Sequence, residues 1–370
     1  MKRSILGTTA LVAVGAVGAA PADAKISLGL SGYMNTYFSV ASIDEGANDP
    51  RDFNPTGIYS DGEVHFEGEY TADNGISFGA NVQLEMFSGG DNIDEKYAYV
   101  EGSFGRIVMG SEDSAAYIMH YAAPYAGLPI NSGWVTVFIE NNPDSNTSFQ
   151  HPGVSTYIDW GGDENVITYY TPRIWGFQLG LTYAPSVTGG GDGKNFPVEA
   201  DTETEYNNGF AVGLNYVEDF NGFGVAVAGG WRYAHASEAV SSLGFDDYQA
   251  LSVGLQLSYA GFTVGGSYAN EYEGMITGGG TTSTEGQSWD VGATYNLGPW
   301  TFGVTYFQGE VEDDVTDPDD DEMWAVQGGL YYALGPGITI GAGVMYAEWD
   351  AETGFSNTGV TGAAGLGFSF

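Results

Sequence analysis

The chain has 370 residues, of which 58 are Gly and 14% are aromatic, while only 15% are charged, against roughly 25% in an ordinary soluble domain. Nine basic residues face 48 acidic ones, a formal net charge of −39, and there is no Cys. This excludes a nucleic-acid binder, which needs cations to neutralise phosphates. It also excludes a disulfide scaffold or Cys-ligated metal site and, with 43% of residues hydrophobic, a classically disordered chain.

Met1-Lys2-Arg3 is a short basic start, Ser4 to Gly18 is apolar or small, and Ala22-Asp23-Ala24 offers a small-residue cleavage site. This pattern predicts a signal peptide over 1–24. Its removal takes Lys2, Arg3 and Asp23 with it and leaves 346 residues of net charge −40. No later run reaches the ~18 apolar residues of a spanning helix, so any passage through a membrane would use strands.

Further along, Asp61, Glu63, His65, Glu67 and Glu69 alternate with Gly62, Val64, Phe66, Gly68 and Tyr70. From residue 177 a two-faced unit recurs: Phe177 to Tyr183, Phe210 to Tyr216, Phe262 to Tyr268, Trp289 to Tyr295 and Trp300 to Tyr306, with longer variants at 251–259 and 338–346. Its period of two predicts strands. One face carries Phe177, Leu179, Leu181 and Tyr183, the other Gln178, Gly180 and Thr182. Such a strand spans ~20 Å, and offset neighbours build an apolar band of ~25 Å between two aromatic girdles. A soluble sandwich would bury its apolar faces between sheets and need polar outer faces, whereas here the apolar face is rimmed by Trp and Tyr. Here the second face is Gly, Thr, Ser, Asn and Gln, which suits a wet lumen.

Turn residues mark seven tight connections, at 73–75, 102–105, 172–176, 221–222, 260–261, 297–299 and 334–337. Between them lie eight long polar stretches, near 41–59, 88–93, 112–162, 186–205, 237–245, 273–285, 310–321 and 350–357. Fifteen connections join sixteen strands, so the fold class is all-β: a 16-stranded antiparallel transmembrane β-barrel over 25–370. An even count lets the last strand close on the first, and sixteen strands leave an aqueous channel.

Three segments carry a family resemblance: Asn165 to Gly180, with its Tyr, Thr-Pro turn and Gly-Phe; Gly105 to Gly110 running into Ser111–Tyr117; and the chain end, Leu366-Gly-Phe-Ser-Phe370. In this order they resemble a Gram-negative general-diffusion porin of the alphaproteobacterial type, over essentially the whole mature chain. The resemblance implies an outer-membrane channel for small hydrophilic solutes, a homotrimer, and a third loop folded into each barrel. It also implies contact with outer-membrane lipid and a sorting signal in Leu366, Phe368 and Phe370 for the outer-membrane assembly machinery; the acidic run 313–322 would meet lipopolysaccharide through bridging divalent ions. Leu28, Leu30, Leu366 and Phe368 would supply the trimer contact. Many members set an Arg and Lys cluster against acids on loop three. With seven basic residues in the mature chain, this sequence departs from that pattern.

The stretch 112–162 stands where the constriction loop belongs. It carries Glu112, Asp113, Glu140, Asp144 and Asp159, no Lys or Arg, and an apolar run around Tyr117, Ile118, Met119, Tyr121 and Tyr125 that could pack on the inner wall. Glu63, His65 and Glu67 of the alternating row should face the lumen, since charges facing lipid are costly. Lys96, Arg106 and Arg232 fall opposite apolar positions and should also point inward. An acidic waist predicts a preference for cations. No catalytic chemistry is expected: no nucleophile–base pair or metal-spaced His pair is visible, and the four His are scattered. The only candidate cofactor is Ca²⁺ at Asp317, Asp319, Asp320 and Asp321, dense enough in carboxylates to bind it; the other reading is a solvated outer loop. A substrate-specific channel and a secreted acidic Ca²⁺-binding adhesin are the alternative functions, and the second would need tandem repeats that Gly189–Gly193 alone does not provide.

Overall fold

The computed structural model describes residues 26–45, 51–87, 93–139, 153–160, 164–187, 206–242, 244–277, 282–312, 320–350 and 356–370. The expected signal peptide therefore lies outside the described residues. The strands are β1 (Ser27–Glu45), β2 (Thr56–Thr71), β3 (Ser77–Glu85), β4 (Lys96–Gly102), β5 (Gly105–Ser111), β6 (Asn165–Tyr170), β7 (Phe177–Ser186), β8 (Tyr206–Phe220) and β9 (Phe223–Ala236). They continue with β10 (Tyr248–Tyr259), β11 (Phe262–Glu273), β12 (Ile276–Thr277), β13 (Thr282–Ser283), β14 (Gly286–Leu297), β15 (Trp300–Val311), β16 (Asp321–Gly335), β17 (Ile338–Asp350) and β18 (Ser356–Ser369). β12 and β13 pair only with each other; the other sixteen form one closed antiparallel barrel in chain order, as the turn count predicts. β1 closes on β18 from Tyr33↔Ser369 to Glu45↔Asn357. Gly32 and Phe370 then exchange backbone hydrogen bonds of 2.9 and 3.0 Å. Closure leaves no free sheet edge.

The alternation sorts as a membrane barrel requires. Leu181, Val291 and Val304 are 44%, 51% and 54% exposed on the outside, while Gly180 and Thr182 are buried on the inside. Outward rings form a nearly continuous ribbon, with centroids of Trp289–Tyr306, Tyr306–Trp324 and Trp324–Tyr346 at 5.0, 6.1 and 5.2 Å. A second ribbon at the short-turn end includes Phe262–Tyr295 and Trp300–Tyr332. At the two-residue turns, Asn221-Gly222 and Ala260-Gly261 both take positive φ, the geometry that matches strand twist in a tight hairpin.

The core is not between sheets but between the wall and the segment joining β5 to β6. Leu128, Ile130, Phe138 and Ile139 pack with Phe307, Met323, Met345 and Trp349. Ile158 and Trp160 pack with Tyr206 and Tyr248. Fully burying such side chains contributes ~1.5–3 kcal/mol each, which holds this segment inside the barrel. Among the described residues, no helix is long and apolar enough to cross a membrane.

Candidate functional site: the constriction

The segment after β5 lies in a groove made by glycines. Gly180, Gly213, Gly254, Gly292, Gly303, Gly329 and Gly343, on seven different strands, present bare backbone to residues 115–128. A methyl at Gly303 would stand 2.5 Å from the Ala126 nitrogen, and one at Gly329 would stand 2.7 Å from the Gly127 Cα. At Gly213, Gly254 and Gly292 it would fall on the carbonyl oxygens of Ala115, Tyr121 and Pro124. The high Gly content thus has a local reason: the loop can approach the wall only where no Cβ intervenes. Wall side chains satisfy the loop's backbone: Thr182 Oγ1 accepts from Ala115 N at 2.9 Å, Gln256 Nε2 donates to Ala122 O at 2.7 Å, and Thr305 Oγ1 donates to Pro124 O at 2.9 Å.

Two buried charges join the loop's limbs to the wall. Asp290 on β14 accepts from Ala123 N (3.0 Å) and Asn131 Nδ2 (2.7 Å) at one oxygen, and from Ser267 N and Oγ (both 2.6 Å) at the other. Asn131 also takes Thr156 N at 2.9 Å, tying the outgoing limb to the returning one. Arg232 on β9 pairs with Asp159 at 2.6 Å and donates to Ser114 Oγ. His120, beside Thr156, is kept neutral, because burial pushes its pKa down to about 3.

The arc β2–β5 is left partly open and is acidic. Asp61, Glu63, His65, Glu67 and Glu69 share the inward face of β2, beside inward Glu85 on β3. Glu63 accepts from Tyr33 Oη at 3.0 Å and lies 2.7 Å from His65 Nε2, Glu67 accepts from Ser31 Oγ at 3.2 Å, and Glu69 accepts from Tyr99 Oη at 2.7 Å. Carboxylate oxygens of Glu63, Glu85 and Asp94 lie within 4.8 Å of one another, close enough to share a cation. Arg106 stands 4.2 Å over the Tyr99 ring. At the loop's root, burial pushes Glu112 up to about 7, against the pull of the Asp113 N–H, Arg106 and Tyr97.

Two of the expected lumen cations are placed elsewhere. Lys96 shares a face with Val82 and Ser111, the outward one, because Tyr97 and Tyr99 take the inward positions of β4. Arg232 faces inward but is sealed beneath the loop at 0% exposure. Asp159 is its partner rather than a lumen acid. Glu140, Asp144, Asp317 and Asp319 lie outside the described residues; Asp320 is exposed and Asp321 is buried at the start of β16. Leu366, Phe368 and Phe370 are exposed on the outer wall at the chain end. Sequence reasoning missed Glu85 and Asp290. The signal for Asp290 was a lone acid at a position that the repeat otherwise gives to Thr, Gln or Ala.

The Gram-negative porin family model matches residues 7–352. No curated relative matches by sequence. Among solved structures the chain is similar to an anion-selective porin from Comamonas acidovorans, at 17% identity and a TM-score of 0.62 over 93% of this chain and 100% of that one. It is similar also to the trimer form of OmpT, an outer membrane protein of Vibrio cholerae (14%, 0.59, 94% and 100%), and to a porin of Rh. blastica (16%, 0.53, 93% and 100%). On the family match, which spans most of its length, this chain belongs to the Gram-negative porins and is an outer-membrane channel rather than an enzyme.

Proposed function

We propose that the channel passes small hydrophilic solutes and ions passively, with a preference for cations. The observation that carries this is the charge of the open wall. Asp61, Glu63, Glu67, Glu69 and Glu85 face inward on β2 and β3, and Arg106 is the one basic side chain facing them from β4 and β5 among the described residues. A low-dielectric cleft lined by one sign of charge concentrates the opposite ion. The fold does not determine that sign, since the Comamonas neighbour is named anion-selective; function rests on the site. The test is the reversal potential of single channels in a KCl gradient, and a preference for chloride would refute the reading.

The proposed assembly is a homotrimer through β18 and β1–β5. Among the described residues the outward face of that arc carries no Trp; a Thr36–Ser60 hydroxyl pair at 3.1 Å, Gly362, Ala364 and Lys96 stand there beside exposed Leu28, Phe38, Ile58, Phe66 and Phe78, an apolar surface with polar groups set into it, which suits a second copy of the chain. Cross-linking in mild detergent that yields only monomers would count against it. Cleavage after Ala24, recognition of Leu366, Phe368 and Phe370 by the assembly machinery, and contact of the outer loops with lipopolysaccharide complete the proposal.

A further inference from the structure

Both roots of the constriction loop meet at one side chain. Arg232 projects inward from β9, register-paired with Ala211 and Ala250, small residues that leave it room. Its Nε and Nη2 donate to Ser114 Oγ at 2.9 and 2.5 Å, and its Nη1 donates to Asp159 Oδ1 at 2.6 Å. The guanidinium carbon lies 4.6 Å from the centre of the Trp160 ring. Ser114 is the N-cap of the first turn of the outgoing limb, α1 (Ala115–Ile118). Asp159 and Trp160 stand on the returning limb, ahead of β6. Tyr248 extends the contact: its Oη lies 3.3 Å from Asp159 O and 3.0 Å from Glu271 Oε1, two acceptors for its one proton.

A buried ion pair is a poor source of stability, because its desolvation offsets its attraction and an apolar filling of the same volume does as well. What an apolar filling lacks is direction. The planar fork of an Arg reaches two acceptors at once in a fixed geometry, and here the two acceptors belong to opposite ends of one loop. One of only nine basic residues in the chain is therefore placed where no permeating ion can touch it.

We propose that Arg232 is the positioning residue of the constriction: by joining Ser114 to Asp159 it holds the loop in one place and gives the pore a single cross-section. Its charge is met by Asp159 beneath the loop and does not set selectivity, so the inference holds whichever ion the channel prefers.

The test uses full-length protein in planar bilayers and compares Arg232→Met, Asp159→Asn and the double variant. The first two change the net charge in opposite directions. If Arg232 acts by position, all three lose the single steady open level and fluctuate between several, with the sign of the KCl reversal potential unchanged. If Arg232→Met and Asp159→Asn instead keep one steady level and shift the reversal potential in opposite directions, or if the charge-balanced double variant behaves as wild type, the proposal is overturned. Arg232→Lys keeps the charge without the fork and should also fluctuate; wild-type behaviour there would assign the effect to charge and overturn it too. Folding is checked by the mobility of the unheated barrel in detergent gels. Should Arg232→Met not fold, Ser114→Ala, which leaves the ion pair and removes the second acceptor, must lose the steady level, and a steady level there overturns the proposal.

Discussion

Gly303→Ala adds one methyl to the inner wall and tests whether the glycine groove sets the size of the pore. The new Cβ would stand 2.5 Å from Ala126 N and 2.9 Å from Ala126 Cβ, all of it loop. Ordinary contact begins at 3.4 Å, so the nitrogen must retreat from 2.5 to 3.4 Å, about 0.9 Å, or the strand must bow outward by as much. The strand is bonded on both sides, to β14 and β16, whereas the loop has the lumen before it, so the loop yields. Overpacking of this kind costs about 1–3 kcal/mol, too little to unfold a closed barrel. Gly335→Ala, at the end of β16 and away from the proposed trimer contact, is the control, because nothing lies within 4 Å of its Cβ. In planar bilayers Gly303→Ala should conduct less than Gly335→Ala, and liposomes carrying it should swell more slowly in neutral sugars, which feel size and not charge. Gly254→Ala, whose methyl falls on the Tyr121 carbonyl, should reduce both further. Equal conductance and equal swelling for Gly303→Ala and its control would refute the claim that this stretch of the loop borders the waist.

Glu112 is neutral below pH about 7 and charged above it, so cation preference should rise as pH climbs through 7. Glu112→Gln should flatten that step in the reversal potential and leave the fall near pH ~4, where ordinary carboxylates protonate. Glu63→Gln with Glu67→Gln removes two carboxylates from the open wall and should weaken cation preference more than Asp113→Asn does. In wild type the preference itself should shrink between 0.1 M and 1 M salt, as the Debye length falls from ~10 to ~3 Å. Asp290→Asn turns one acceptor oxygen, at which two donors point, into a third donor. It should destabilise the loop by about 1–3 kcal/mol, read as faster proteolysis within the loop of an otherwise folded barrel.

The number of barrel strands, their pairing in chain order and the lipid-facing residues of the two-faced repeats from 177 onward follow from local rules. The period of two fixes which side chains share a face, and Asn221-Gly222 or Ala260-Gly261 can adopt backbone angles that only a tight turn requires. Those signals survive in the bare sequence because they depend on neighbours within a few residues. The acidic face of β2 was legible for the same reason.

Position in the lumen was not legible in this way. Lys96 and Tyr97 are adjacent, and the rule that aromatics face lipid assigns the Lys inward. On the open arc Tyr33, Tyr97 and Tyr99 face the lumen instead, so the parity is reversed, and only pairing with Val82 and Ser111 shows it. Arg232 faces inward as its strand dictates, yet inward means two environments here. The open lumen lies before the arc β2–β5, while a loop bedded on glycines of the strands from β7 round to β17 lies over the opposite wall. Gly180 and Gly303 read from the sequence as small lumen residues, and nothing near them in the chain says what they accommodate. Sequence determines which face a side chain takes, because that is a matter of backbone alternation. Whether that face meets solvent, another limb of the chain or a buried partner is decided only when residues more than a hundred positions apart, such as Ser114 and Arg232, come to share one site.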